Sequence, residues 1–245
     1  MSIRTKLAKP VNDALRPLRV QLVPGTSPDP AIKDYIPARK TIAASQRAGL
    51  SVGAYIDRTF AQPGATPQTV QAMLKLADLG DKCGTVCEIG AGSGRFAEEV
   101  IAALSPDRYE VYETASDWLP WLRKLPNAVI QECEGRTLSQ TPDSSVDLVH
   151  AHKLFVYCEF FTTAGYLEEM ARVTRPGGAV AFDIVTEECL DDETIREWVK
   201  VSSFYRPVPR EWAVEFMRRR GFTLRGSHFS PLPPGTAELL VFRRE

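Results

Sequence analysis

The sequence predicts a doubly wound α/β fold: a seven-stranded, mostly parallel sheet with an antiparallel strand at one edge, preceded by a helical cover. Three observations carry that expectation. From residue 84 onward, short apolar runs alternate with segments of helical periodicity, the pattern of parallel strands joined by crossover helices. One run, Ala179–Val185, reads as a continuous apolar strand, as expected of a sheet covered on both faces. An apolar strand at Thr85–Ile89 ends in a glycine-rich turn that opens a helix at Arg95, the junction at which open α/β sheets bind ligands.

The elements follow in chain order. Ile3, Leu7, Val11, Leu15 and Leu18 form a helical stripe within residues 1–20, ringed by Arg4, Lys6, Lys9, Arg16 and Arg19. Such a basic amphipathic helix either touches an anionic membrane peripherally or packs on its own domain. Pro10 and Pro17 interrupt it and favour the second reading. Residues 22–37, with Pro24, Pro28, Pro30 and Pro37, read as an extended linker. Helices are expected at 39–60 and 66–79, separated by Gln62-Pro63-Gly64, with Thr66 as N-cap and Pro67 in the first turn. Strands are then expected at Thr85–Ile89, Tyr109–Glu113, Ala128–Gln131, Val146–His150 and Ala179–Val185, and a closing pair at Thr223–Ser227 and Ala237–Arg243. Helices are expected at Arg95–Leu104, Asp117–Leu125, Thr163–Val173, Thr194–Val199 and Glu211–Arg220. The expected division is a helical extension at 1–79 and a ligand-binding domain at 80–245.

Composition narrows the function. The chain has 245 residues, 44% of them hydrophobic and 25% charged, enough for a core that needs no disulfide or metal staple. Its net charge of −1 argues against bulk attraction to nucleic acid. That charge is uneven: residues 1–60 hold ten Lys/Arg against four Asp/Glu, and the rest is acidic. The five cysteines lack zinc spacing. An odd count with no secretory run fits a reducing compartment, and the cytoplasm is the expected location. No stretch is apolar enough over about 18 residues to span a membrane.

The chemistry concentrates in Val86-Cys87-Glu88-Ile89-Gly90-Ala91-Gly92-Ser93-Gly94-Arg95. Gly90, Gly92 and Gly94 let the backbone turn sharply and bring a ligand against main-chain N–H groups. The spacing is GxGxG, not the GxGxxG of dinucleotide sites, and no GxxxxGK[ST] phosphate loop is present. Glu88 stands two residues before the first glycine, where it would repel a pyrophosphate and suit a cationic amino-acid group. Glu113 ends the second strand, where a carboxylate can accept both hydroxyls of a ribose. Glu113 alone fits a nicotinamide dinucleotide as well; together with Glu88 it fits a nucleoside carrying an ammonium.

In these residues the sequence resembles the class I S-adenosylmethionine-dependent methyltransferases, over about 80–245. Glu88–Gly94 resembles the family's glycine-rich motif, with Ala91 in the loop, and Glu113 resembles its ribose-binding acid. Glu134-Gly135, followed by Thr141-Pro142-Asp143-Ser144-Ser145-Val146-Asp147-Leu148-Val149, resembles the acidic adenine loop running into the fourth strand. Arg172-Val173-Thr174-Arg175-Pro176-Gly177-Gly178 resembles the turn before the fifth. Many relatives carry Asp where this chain has Glu134. The resemblance implies a Rossmann-like fold, S-adenosylmethionine as methyl donor and S-adenosylhomocysteine as product. It places Thr114 and Ala115 beside the adenine, and His150 and Ala151 beside the donor.

Methyl transfer from a sulfonium needs a nucleophile held in line at about 3 Å. A hydroxyl nucleophile also gains from a base, and histidine is the usual one. The chain has three histidines, His150, His152 and His228, and the expected topology brings all three to one rim. His152 is the candidate base of an O-methyltransferase, with a substrate hydrogen bond or a structural role as its alternatives. Tyr157, His228, Tyr55 and Phe60 are candidate acceptor contacts, with core packing as the alternative for the aromatics. The acidic cluster Glu187, Glu188, Asp191 and Asp192 matches no metal motif and reads as a helix cap. The expected acceptor is a small molecule or lipid-like metabolite methylated on oxygen. Methylation on nitrogen or carbon, a membrane-associated lipid methyltransferase, and a donor-binding protein without catalysis are the alternatives.

Overall fold

The helices ahead of the sheet divide where the sequence changes character. The computed structural model describes residues 36–80, 83–200 and 205–245. The basic stripe at 1–20 and the linker up to residue 35 lie outside these. The helix expected at 39–60 is two helices, α1 (Ala38–Arg47) and α2 (Val52–Phe60). Gly49 takes a left-handed φ of 65° between them, and Ser51 caps α2 by accepting a hydrogen bond from Ala54 N at 3.1 Å. Ser51→Ala is expected to cost about 1 kcal/mol, read as a lower urea midpoint at unchanged m-value.

Helix α3 (Ala65–Ala77) starts one residue before the expected position, because Gly64 with φ 78° serves as N-cap. Thr66 instead gives its N–H and hydroxyl to Asp57, at 2.8 and 2.7 Å. Asp57 also accepts from Arg95 at 2.8 Å, so α2 and α3 are tied to the helix that follows the glycine turn.

The sheet contains β1 (Thr85–Ile89), β2 (Arg108–Tyr112), β3 (Ala128–Ile130), β4 (Val146–Ala151), β5 (Thr174–Ile184), β6 (Phe222–Leu232) and β7 (Gly235–Arg244). Its order is β3-β2-β1-β4-β5-β7-β6. Strands β1 to β5 pair in parallel; β7 runs antiparallel to both β5 and β6. The reversed strand therefore lies one place in from the edge. The connecting helices are α4 (Arg95–Leu104), α5 (Leu119–Leu122), α6 (Phe160–Val173), α7 (Asp192–Lys200) and α8 (Arg210–Arg218).

Three expectations are corrected here. The helix at 117–125 shrinks to α5, where Trp118 and Leu122 are buried. Strand β5 begins at Thr174 and runs through Arg175-Pro176-Gly177-Gly178, since Thr174 already pairs with Val146 across an irregular register. Strand β6 runs on to Leu232, so the turn into β7 contracts to Pro233-Pro234.

Alternation assigns the two faces. Cys87, Ile89, Tyr112, Val149, Ala151, Val180 and Phe182 join Leu167 and Met170 of α6 and Ala213 and Met217 of α8 in one apolar core. The opposite face carries Val86, Glu88, Tyr109, Leu148, His150, Ala181 and Asp183, all buried. Helix α3 crosses that face over β5, β6 and β7. Its Leu76 comes so close to β6 that a Cβ on Gly226 would lie 2.8 Å from Leu76 Cδ2. Residues 37–245 form one compact unit. Among the described residues no helix is long and apolar enough to cross a membrane.

Candidate active site

The glycine turn and Glu113 meet at the carboxyl ends of β1 and β2. Gly90 N–H donates to Tyr112 O at 2.8 Å, which fixes the first residue of the turn to β2. Gly90, Gly92 and Gly94 all have positive φ, at 70°, 52° and 75°. A Cβ on Gly94 would lie 2.9 Å from Leu122 Cδ2, so this glycine serves close packing against α5. A Cβ on Gly92 would meet nothing within 4 Å, so open space lies over the middle of the turn. Glu113, half-buried, accepts from Gly92 N at 2.5 Å and from Ala115 N at 2.6 Å.

The adenine-side candidates are also neighbours. A Cβ on Gly135 would lie 3.6 Å from Thr114 Cγ2, which brings the loop before β4 against the segment after β2. Glu134 is exposed and accepts from the N–H of Thr137 at 3.0 Å and from its hydroxyl, which holds its carboxyl below the ordinary range. Its interactions shape the loop.

On the far side of the turn the structure joins residues that sequence spacing left separate. Glu88 and His150 are register partners on β1 and β4. The Tyr109 hydroxyl lies between them, donating to Glu88 Oε2 at 2.9 Å and standing 2.9 Å from His150 Nε2. With the phenol donating to Glu88, Nε2–H of His150 donates to the phenol oxygen. Its Nδ1 is then an acceptor with no partner among the described residues. Burial pushes the Glu88 carboxyl up to about 8 against the opposing Tyr109 hydrogen bond, and nearby Glu113 adds to the rise. Burial likewise holds His150 well below its ordinary range, with His152 adding to the effect.

His152 is 4% exposed, and its ring stacks on Phe96 of α4 at 4.0 Å and 12°. It lies 5.2 Å from the His150 ring, and neither of its nitrogens has a partner among the described residues. Burial, helped by Lys153 and Arg95, lowers it to about 3. Both imidazoles are therefore neutral at physiological pH.

Lys153, Asp183 and Ser230 escaped the sequence reading. Lys153 has a left-handed φ of 55°. Its N–H donates to Asp183 Oδ1 at 2.6 Å, its Nζ donates to Ser230 Oγ at 2.6 Å, and Nζ is 3.3 Å from Asp183 Oδ2. Asp183 thus holds the residue after His152 by both backbone and side chain. The next residue, Leu154, packs over the turn, 3.1 Å from a Cβ built on Gly90. A lysine directly after an apolar strand was the available signal, but its partners lie 30 and 77 residues away.

The remaining candidates are more dispersed. His228, half-buried on β6, stands two residues from Ser230, and burial and Lys153 lower its pKa. Tyr157 packs against Tyr205 with ring centroids 5.5 Å apart, in a cluster with Val156, Cys189 and Trp198. Tyr55 faces Arg58, and Phe60 is 51% exposed, so neither adds to the buried histidine pair. The acidic residues after β5 make local bonds: Glu187 accepts from Arg210 N at 2.9 Å and Asp191 from Thr194 N at 2.7 Å.

Fold and site together define a doubly wound domain with a glycine-rich turn after β1, a carboxylate just after β2 and no phosphate-loop sequence. Residues 87–182 match the methyltransferase-domain family. Malonyl-[acyl-carrier protein] O-methyltransferase of Methylococcus capsulatus is 29% identical over 156 residues, covering 59% of this chain and 54% of that protein. An uncharacterized methyltransferase of Schizosaccharomyces pombe is 30% identical over 128 residues, covering 51% and 48%. The chain spans about half the length of the curated relatives it matches. Magnesium protoporphyrin IX methyltransferase from Synechocystis PCC 6803, solved with bound S-adenosylhomocysteine, shares the fold at a TM-score of 0.56 and 11% identity, over 99% of this chain and 98% of that one. Over residues 87–182 the chain is thus similar to a methyltransferase domain, and its fold is shared with a methyltransferase solved with S-adenosylhomocysteine, a likeness that points to S-adenosylmethionine as methyl donor. The residues present fit that donor: the space over Gly92 is open, Glu113 faces the turn, and Thr114 and Gly135 stand together.

Proposed function

We propose that this chain methylates an oxygen of a small-molecule or lipid-like acceptor, or of one tethered to a carrier. The observation that supports this most is the pair of neutral, buried imidazoles at the end of β4, with three ring nitrogens lacking partners among the described residues. A neutral imidazole nitrogen accepts a hydrogen bond from a hydroxyl, whereas an imidazolium would repel an approaching sulfonium. The curated relative that methylates malonyl-[acyl-carrier protein] on oxygen supports the same atom type.

In this reading Gly90, Ala91, Gly92 and Gly94 carry the donor, Glu113 takes its ribose, and Thr114, Ala115, Glu134 and Gly135 flank its adenine. His150 and Ala151 line the methionine side, and His152 accepts the hydrogen bond of the acceptor hydroxyl. The Asp183 clamp on Lys153 and the Phe96 stack fix the His152 ring, so little orientational freedom is lost when the acceptor arrives. With a pKa near 3, His152 orients the nucleophile rather than holding its proton at neutral pH. His228 and Tyr157 are acceptor-side contacts.

The test is a screen of hydroxyl, carboxyl and amine acceptors with radiolabelled donor, followed by mapping of the labelled atom. His152→Ala is expected to lower kcat on the best acceptor about tenfold, the worth of one hydrogen bond in the transition state, with donor affinity unchanged. Label on nitrogen or carbon, or an unaffected kcat, contradicts the assignment.

A further inference from the structure

Arg172, near the end of α6, reaches back with its side chain to the loop between β3 and β4. Its Nε and one Nη donate to the two carboxylate oxygens of Glu169, each at 2.8 Å. The remaining donors go to Leu138 O at 3.0 Å, Thr141 O at 3.1 Å and Asp143 Oδ1 at 2.5 Å. All five N–H donors of the guanidinium are thereby used. Glu169 in turn accepts from Leu138 N at 2.8 Å. Both backbone groups of Leu138 therefore end on one ion pair of α6.

The same stretch is held from the sheet. The Thr141 hydroxyl donates to Glu110 and lies 2.8 Å from the Tyr112 phenol, which accepts from Gln140 N at 3.2 Å. At the other end Gln131 N donates to Val111 O at 2.9 Å. Residues 132–137, with Glu134 and Gly135, span the gap between these two anchors. Helix α6 is itself held on the sheet by Tyr166, Leu167 and Met170 in the apolar core. The ion pair thus serves the loop more than the helix. Arg172 also holds the Glu169 carboxyl below its ordinary range, so the pair stays charged at neutral pH.

We propose that Glu169 and Arg172 are positioning residues for the methyl donor: by fixing both backbone groups of Leu138 they set where Glu134 and Gly135 stand against Thr114, and so how the adenine is read. This rests on the reading that places the adenine between those residues. Without the fork, the Leu138 and Thr141 carbonyls lose a partner, and the loop shifts to find water. Lysine keeps the charge but has three donors on a flexible stem, so it does not replace the fork.

The experiment is titration calorimetry on the full chain with S-adenosylhomocysteine and with S-inosylhomocysteine. The second ligand differs at the base edge, where a carbonyl replaces the amino group and N1 carries a proton. The wild type is expected to prefer the adenosyl ligand by at least about tenfold, the worth of one hydrogen bond. In Arg172→Met and in the milder Arg172→Lys, that preference is expected to fall to near parity, with the loss falling on the adenosyl ligand. Glu168→Gln is the control, since it breaks the pairing with Arg220 on the same helix, at 2.8 Å from Nε, away from the loop. Its preference should stay that of the wild type, which separates positioning from a general weakening of α6. An unchanged preference in both Arg172 variants overturns the proposal and leaves the donor reading intact. A wild type that binds the two ligands alike overturns it together with the placement of the adenine, and one that binds neither removes the donor assignment itself.

Discussion

Glu113→Ala is expected to weaken S-adenosylhomocysteine binding by about 100-fold, close to 2.7 kcal/mol, measured by titration calorimetry. The carboxylate accepts from Gly92 N and Ala115 N at 2.5 and 2.6 Å, so it spans the turn and the segment after β2. A ribose offers two hydroxyls to the same oxygens. Hydrogen bonds to a charged group contribute about 1.5–3 kcal/mol each, and part of that gain is offset by the backbone bonds that rearrange. Glu113→Gln keeps one carbonyl acceptor and is expected to lose only about tenfold. NADH is the control: a GxGxG turn with an acid two residues ahead should not hold its pyrophosphate. Unchanged affinity in Glu113→Ala would place the ribose elsewhere.

The parts of this site visible in the sequence are those set by local chain geometry. The glycine turn, the helix at Arg95 and the acid ending β2 each follow from a few consecutive residues, and the structure places them together. Helix α4 begins and ends where its periodicity predicts. What the sequence concealed depends on partners far along the chain. Tyr109 bridges Glu88 and His150 only because β1 lies between β2 and β4, a consequence of strand order that no local pattern carries. The pairing of Lys153 with Asp183 needs β4 beside β5, and its contact with Ser230 needs β6 folded back past β7. The misplaced boundaries have a similar origin. Strand β5 extends through Pro176 and two glycines because Thr174 finds a partner in Val146, and pairing outweighs the local preference for a turn. The break between α1 and α2 was legible, since Gly49 and Ser51 are ordinary stop and start signals.

The polar face of the sheet also explains how one site combines rigidity with charge control. Asp57 with Arg95, and Asp183 with Lys153, are buried pairs that cancel within themselves. Their value lies in fixing geometry: removing one member strands the other, which costs about 3–5 kcal/mol. Glu88 differs because its hydrogen-bond partner is a neutral phenol. It is therefore free to change protonation without breaking an ion pair.

That freedom gives the protein a distinctive stability profile, and Glu88→Gln isolates it. The folded carboxyl ionises near 8, against an ordinary 4.5. Between those values the folded state binds more protons than the unfolded state, so stability is full below about 4.5 and declines until about 8. The full decline is roughly 3–5 kcal/mol, the worth of that displacement at about 1.4 kcal/mol per pH unit. His152 acts with the opposite sign. Its folded value near 3 lies below the ordinary 6.5, so its contribution is present above 6.5 and is lost as the pH falls toward 3. His150, held well below its ordinary value, steepens the same acid limb. The wild-type protein should therefore lose stability on both sides, and Glu88→Gln should abolish the alkaline limb alone. Urea unfolding at about pH 5, 7 and 8.5 reads this directly, with the variant gaining on the wild type as pH rises. Parallel curves would mean that Glu88 is already ionised at neutral pH.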